Sequence, residues 1–143
     1  MTTDSEIKPK HQTITPYLIV KHAADFISFT EKVFGAIRTF ITMRDEHTIM
    51  HAEITIGDSK IMLAEATETY LPNPTGFLIY VNNADDIYNK ALNSGGTSLT
   101  PLANQSYGRS GGVMDPFGNT WWITSVNNLN EPANQKTYES SSH

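Results

Sequence analysis

His51 and Glu53 stand two residues apart in Ile49 to Ile56, IMHAEITI. Successive side chains of a strand leave opposite faces, so residues i and i+2 leave the same one. An imidazole and a carboxylate held side by side can share a divalent cation or act as a proton-transfer couple. Two donors rarely complete a metal site. The same pair also serves as a polar contact to a ligand, or as a hydrogen-bonded structural dyad, and the sequence leaves these uses open.

Aromatic residues supply walls for such a ligand. In Thr15 to Val20, TPYLIV, alternation sends Pro16, Leu18 and Val20 one way and Thr15, Tyr17 and Ile19 the other. Farther on, Phe77, Ile79 and Val81 oppose Gly76, Leu78 and Tyr80, and core positions Trp121 and Ile123 oppose Trp122 and Thr124. Tyr17, Tyr80 and Trp122 would then share their faces with His51 and Glu53, giving apolar area with polar handles. An ordinary core or interface would use the same residue types.

Arg109 lies in Ser106-Tyr107-Gly108-Arg109-Ser110-Gly111-Gly112, within a long loop expected from Thr100 to Ser110. From such a loop it could grip an anionic group through two parallel hydrogen bonds, or remain a solvated charge. The Gly pair is no nucleotide cradle, because neither a following Lys-Ser/Thr nor a strand-to-helix G-x-G-x-x-G is present. Asp115, before Pro116, is expected to accept backbone hydrogen bonds in a turn. His11, His22, His47 and His143 fall in tails, turns or helix starts and carry no chemical expectation.

The elements that position these residues come twice. Val20 to Gly35, VKHAADFISFTEKVFG, and Val81 to Gly96, VNNADDIYNKALNSGG, share a strand-ending Val, an Ala-Asp helix start and a closing Gly, 61 residues apart. The same offset carries Gly57 onto Gly118. One unit of strand, helix and three more strands is used twice. Helices are expected over Asp25 to Phe34 and Ala84 to Asn93, the second with Ile87, Ala91 and Leu92 inward. Ile37 to Met43 reads as a strand, and Ile49 to Ile56 and Lys60 to Ala64 as a hairpin across Gly57-Asp58. Pairing Ile56 with Ser59 sets Ile54 opposite Ile61, Ala52 opposite Leu63, Glu53 opposite Met62 and His51 opposite Ala64. The fold class is α+β. Each helix can cover one sheet face only, so the other is left open, and two open faces turned toward each other would enclose a cleft.

The 143 residues carry 15 acidic and 10 basic side chains, and after Lys90 the only cations are Arg109 and Lys136. No basic stripe exists for phosphates, which argues against nucleic acid as a partner. No apolar run is long enough to span a bilayer, so no membrane partner is expected. The absence of Cys suits a reducing compartment, and the cytoplasm is the expected location. Residues 1–13 read as a flexible segment, 14–69 and 75–126 as two modules of one domain, and 127–143 as a polar tail.

MHAEITIGDSKIMLAEA and YGRSGGVMDPFGNTWWI, with DPFGN-x-W the most specific element, resemble the vicinal oxygen chelate or glyoxalase/bleomycin resistance/dioxygenase superfamily, more narrowly its PhnB-like members. The resemblance covers about residues 14 to 126. It implies two βαβββ modules, curved mixed sheets around a cleft, and commonly a homodimer. It also implies either metal-dependent lyase, isomerase, dioxygenase or thiol-transfer chemistry, or metal-free sequestration of drugs. The ligand positions of the family fall on Thr15, Gly76 and Trp122. Gly has no side chain and indole is a donor only, so the usual metal site is expected to be absent. Where PhnB-like relatives often carry His after the DPFG turn, this chain has Asn119. The expected function is therefore binding of a small organic molecule, with Tyr17, His51, Glu53, Tyr80, Arg109 and Trp122 as contacts and no cofactor. The alternative is an enzyme using His51 and Glu53 with a divalent metal.

Overall fold

The computed structural model describes residues 12–126. Residues 1–11 and the expected tail at 127–143 lie outside the described part. Two compact units divide between Asn73 and Pro74.

In the first unit, β1 (Tyr17–Val20), α1 (Ala23–Phe34), β2 (Ile37–Met43), β3 (Ile49–Ile56) and β4 (Ser59–Glu65) build a four-stranded sheet in the order β1-β4-β3-β2. β1 runs parallel to β4, and the other pairs are antiparallel. The hairpin register is the expected one, with Ala52 opposite Leu63, Glu53 opposite Met62, Ile54 opposite Ile61 and Ile56 opposite Ser59. Gly57, at φ 60°, takes the left-handed turn position.

α1 buries Ala23, Phe26, Ile27, Phe29, Thr30 and Val33 against a sheet face carrying Leu18, Val20, Ala52, Ile54, Ile61 and Leu63. It begins two residues before the expected Asp25. His22 adopts a left-handed conformation and offers no side-chain cap. Glu65, at the end of β4, instead accepts hydrogen bonds from the His22 and Ala23 backbone amides, each at 2.8 Å. A carboxylate there meets the orphan amides and positive dipole of the helix N-terminus. The N-terminal segment is also tied in at its end: the Gln12 side-chain amide accepts from Lys60 N and donates to Lys60 O.

In the second unit, β5 (Gly76–Tyr80), α2 (Ala84–Asn93), β6 (Thr97–Gln105), β7 (Gly108–Met114) and β8 (Thr120–Ser125) repeat the plan in the order β5-β8-β7-β6. Here the helix is capped locally, with Asn83 Oδ1 accepting from Asp86 N. Ala84, Tyr88 and Ala91 are buried, whereas Ile87 and Leu92 are half-buried. Tyr88, which the inward set expected from sequence did not contain, rests against Gly111 and hydrogen-bonds Ser98 through its hydroxyl.

The loop expected from Thr100 to Ser110 is instead a hairpin turning at Ser106-Tyr107. β6 is the edge strand of its sheet, and its register slips between Ser98 and Thr100 and again before Ala103. An edge position tolerates Pro101 and the irregular pattern that made this stretch read as a loop.

Candidate functional site

On the face of the first sheet opposite α1, alternation and register gather Tyr17 and Ile19 from β1, Lys60, Met62 and Ala64 from β4, His51, Glu53 and Thr55 from β3, and Phe40 from β2. Tyr17 and Phe40 are 48% and 51% exposed, large apolar rings that no helix covers. The Tyr17 and His51 rings stack with centroids 5.5 Å apart and planes 27° from parallel. Phe40 approaches His51 from the other side at 5.9 Å. Tyr17 Oη lies 3.0 Å from His51 Nδ1, a hydrogen bond joining two strands that are not neighbours in the sheet. Glu53 pairs with Lys60 Nζ at 3.3 Å, both side chains being largely sheltered. His51 and Glu53 thus share a face as their spacing requires, yet each is engaged by a different partner.

The corresponding face of the second sheet carries Leu78 and Tyr80 from β5, Trp122 and Thr124 from β8, and Ser110, Gly112 and Met114 from β7. Tyr80 is 68% exposed and Trp122 40%, whereas Trp121, one residue away, is 2% exposed and stacks on Phe77. This is the expected division of the Trp pair between faces. Gly112 makes room for Trp122: a Cβ there would collide with the six-membered ring of the indole. Thr124 is fully buried on this face and hydrogen-bonds Ser110 Oγ at 2.9 Å.

Asp115 holds the turn before β8. Its carboxylate accepts from the backbone amides of Phe117 and Asn119, the Asn119 side-chain amide and Trp121 Nε1. The expected turn role is correct, and it reaches further: the same carboxylate orients Trp121 beneath the sheet. Asn119 Oδ1 in turn accepts from Thr75 N, where β5 begins.

Arg109 belongs to β7 rather than to a loop, and its side chain is on the helix-covered side. Its guanidinium donates to both Asp85 oxygens, Nε at 2.6 Å and Nη2 at 3.1 Å, and to Asn104 Oδ1. The hydrogen bond from Arg109, with its charge, holds the Asp85 carboxyl below the usual carboxylate value. Of the six contact residues expected from sequence, Tyr17, His51 and Glu53 share one face, Tyr80 and Trp122 another, and Arg109 neither. Phe40 and Met62 complete the first face. Phe40 lay within a predicted strand, but only the register with Glu53 shows which face it takes.

Among the described residues no group of three or more His, Cys, Asp or Glu could hold a metal ion. His51 and Glu53 alone would leave most of a coordination shell unfilled.

The Glyoxalase/Bleomycin resistance protein/Dioxygenase superfamily model matches residues 10–123. An uncharacterised Mycobacterium bovis protein, Mb0911c, is 32% identical over 120 residues, which cover 76% of this chain and 79% of that protein. Among solved structures, the PhnB protein from Bacillus cereus aligns with a TM-score of 0.65 and 21% identity over 80% of this chain and 99% of its own. The bleomycin-binding protein of Streptomyces verticillus aligns with a TM-score of 0.54 and 20% identity over 80% of this chain and 96% of its own. These structural likenesses concern the fold.

Proposed function

Since the chain belongs to the Glyoxalase/Bleomycin resistance protein/Dioxygenase superfamily, we propose that it binds a small, flat organic molecule on the helix-free faces of its sheets. The observation that carries this reading is the ring cluster of Tyr17, His51 and Phe40 on a face without a helix. Exposed aromatic rings of this kind offer large apolar contact with little entropy to lose on binding. The exposed Trp122 and Tyr80 give the second face the same character. The bleomycin-binding relative of the same fold supports sequestration as a use for such a surface. A lyase, isomerase or dioxygenase reading through His51 and Glu53 would require Glu53 to leave Lys60 and further donors to be recruited, and no observation favours it.

The assembly proposed is a homodimer, as the family resemblance implies, and the location is the cytoplasm, in keeping with the lack of Cys. No helix among the described residues is long and apolar enough to cross a membrane.

The pocket assignment is tested by calorimetric titration of wild type and Trp122→Ala with a ligand selected from a library of planar heteroaromatics. The expected result is about a tenfold or greater loss of affinity in the variant, roughly 1.4 kcal/mol. Unchanged affinity would remove Trp122 from the site.

A further inference from the structure

On the first sheet's ring face, His51 has one nitrogen engaged and one open. Nδ1 faces the Tyr17 hydroxyl at 3.0 Å, and the Tyr17 and Phe40 rings lie 5.5 and 5.9 Å from the imidazole. Nε2 has no hydrogen-bond partner among the described residues. It is not sealed in, because the described residues contain no buried side-chain nitrogen or oxygen lacking a partner. Nε2 is therefore a polar atom reachable from solvent within an aromatic wall.

The hydrogen bond at Nδ1 decides what Nε2 offers. A neutral imidazole has one N–H and one acceptor nitrogen, and the bond made by one nitrogen sets the role of the other. A phenol is a better donor than acceptor, and the sp² imidazole nitrogen is a better acceptor than the phenol oxygen. With Tyr17 Oη–H as the donor to Nδ1, the proton of the neutral ring sits on Nε2. On the same face Glu53 and Lys60 form an ion pair at 3.3 Å. The ring cluster thus offers a ligand the Tyr17 and Phe40 rings and, in this tautomer, an N–H donor at Nε2.

We infer that His51, held by Tyr17 as its Nε2–H tautomer, is the specificity-determining donor of this face, and that the ligand is an uncharged planar molecule carrying a carbonyl-type acceptor. The inference rests on the small-molecule reading above and adds the ligand's chemical class. A donor left unpaired by a ligand without an acceptor would penalise that ligand. Tyr17 is a positioning residue here, since its hydroxyl acts through His51.

Two measurements test it. Long-range proton–nitrogen NMR of the neutral His51 ring should give a pyrrole-type Nε2 and a pyridine-type Nδ1 in the wild type, and a mixture of tautomers in Tyr17→Phe. A pyrrole-type Nδ1 in the wild type would overturn the inference while leaving the binding reading intact. The second measurement uses coumarin, which carries a lactone carbonyl, and naphthalene, of similar size without an acceptor, both followed by the ring signals of Tyr17 and Phe40. Coumarin should bind about tenfold or more tightly than naphthalene, and His51→Phe should remove that preference while keeping naphthalene bound. Equal binding of the two to the wild type would overturn the donor role alone. If neither probe moves the Tyr17 and Phe40 signals at its solubility limit, the small-molecule reading of this face falls with it.

Discussion

Gly111 and Gly112 are adjacent on β7 and serve opposite faces. A Cβ on Gly111 would come within 3.0 Å of the Tyr88 ring from α2, and one on Gly112 would meet the Trp122 indole on the open side. Two neighbouring residues without side chains thus let one aromatic ring lie close to each face of the strand. Gly112→Ala is expected to lift Trp122 off β7, with an overpacking cost of about 1–3 kcal/mol. Urea unfolding gives the cost, and the Trp122 indole resonance reports the displacement; an unmoved resonance and unchanged stability would contradict the close approach. From sequence this Gly pair could be excluded as a phosphate cradle, but its actual use depends on which rings the sheet register brings over it. His51 and Glu53 were legible as one-faced because alternation is local. Tyr17 was legible on the same face, but its hydrogen bond to His51 and the Glu53–Lys60 pair were not, because these partners come from other strands.

At the scale of elements, the helices, the β3–β4 hairpin and the division of Trp121 from Trp122 could be read from periodicity. Two features depended on long-range partners. α1 starts early because Glu65, forty-two residues beyond Ala23, caps it. β6 pairs despite Pro101 because it is an edge strand that needs partners on one side only. The Asp85–Arg109 pair then fastens the first turn of α2 to β7. Its pH dependence has a definite sign. The hydrogen bond from Arg109 holds the folded-state pKa of Asp85 below its ordinary 3.8, so the stabilisation is fully present above that value and fades as the pH falls through the lowered one. Urea unfolding in steps below pH 5 should show a shallower acid decline in Asp85→Asn than in the wild type. Identical slopes would mean that the pair contributes nothing to folding.

For the whole molecule, a duplicated βαβββ plan leaves each sheet with one face that its own helix does not cover. Ile37, Phe40 and Met43 on β2, and Leu78, Tyr80 and Trp122 in the second unit, remain substantially exposed. Exposed apolar area on this scale marks surfaces for ligands or protein partners. The proposed homodimer predicts a sedimentation-equilibrium mass of twice 15.9 kDa at micromolar concentration; a monomer throughout would contradict it. The ring faces themselves are tested most directly by aromatic carbon–proton NMR of the protein with and without saturating binders from the planar heteroaromatic library. The account predicts shifts at Tyr17, His51 and Trp122, with Trp121 and Phe26 on the helix sides left in place. Binders that move Trp121 and Phe26 while leaving the three open-face rings unchanged would contradict it.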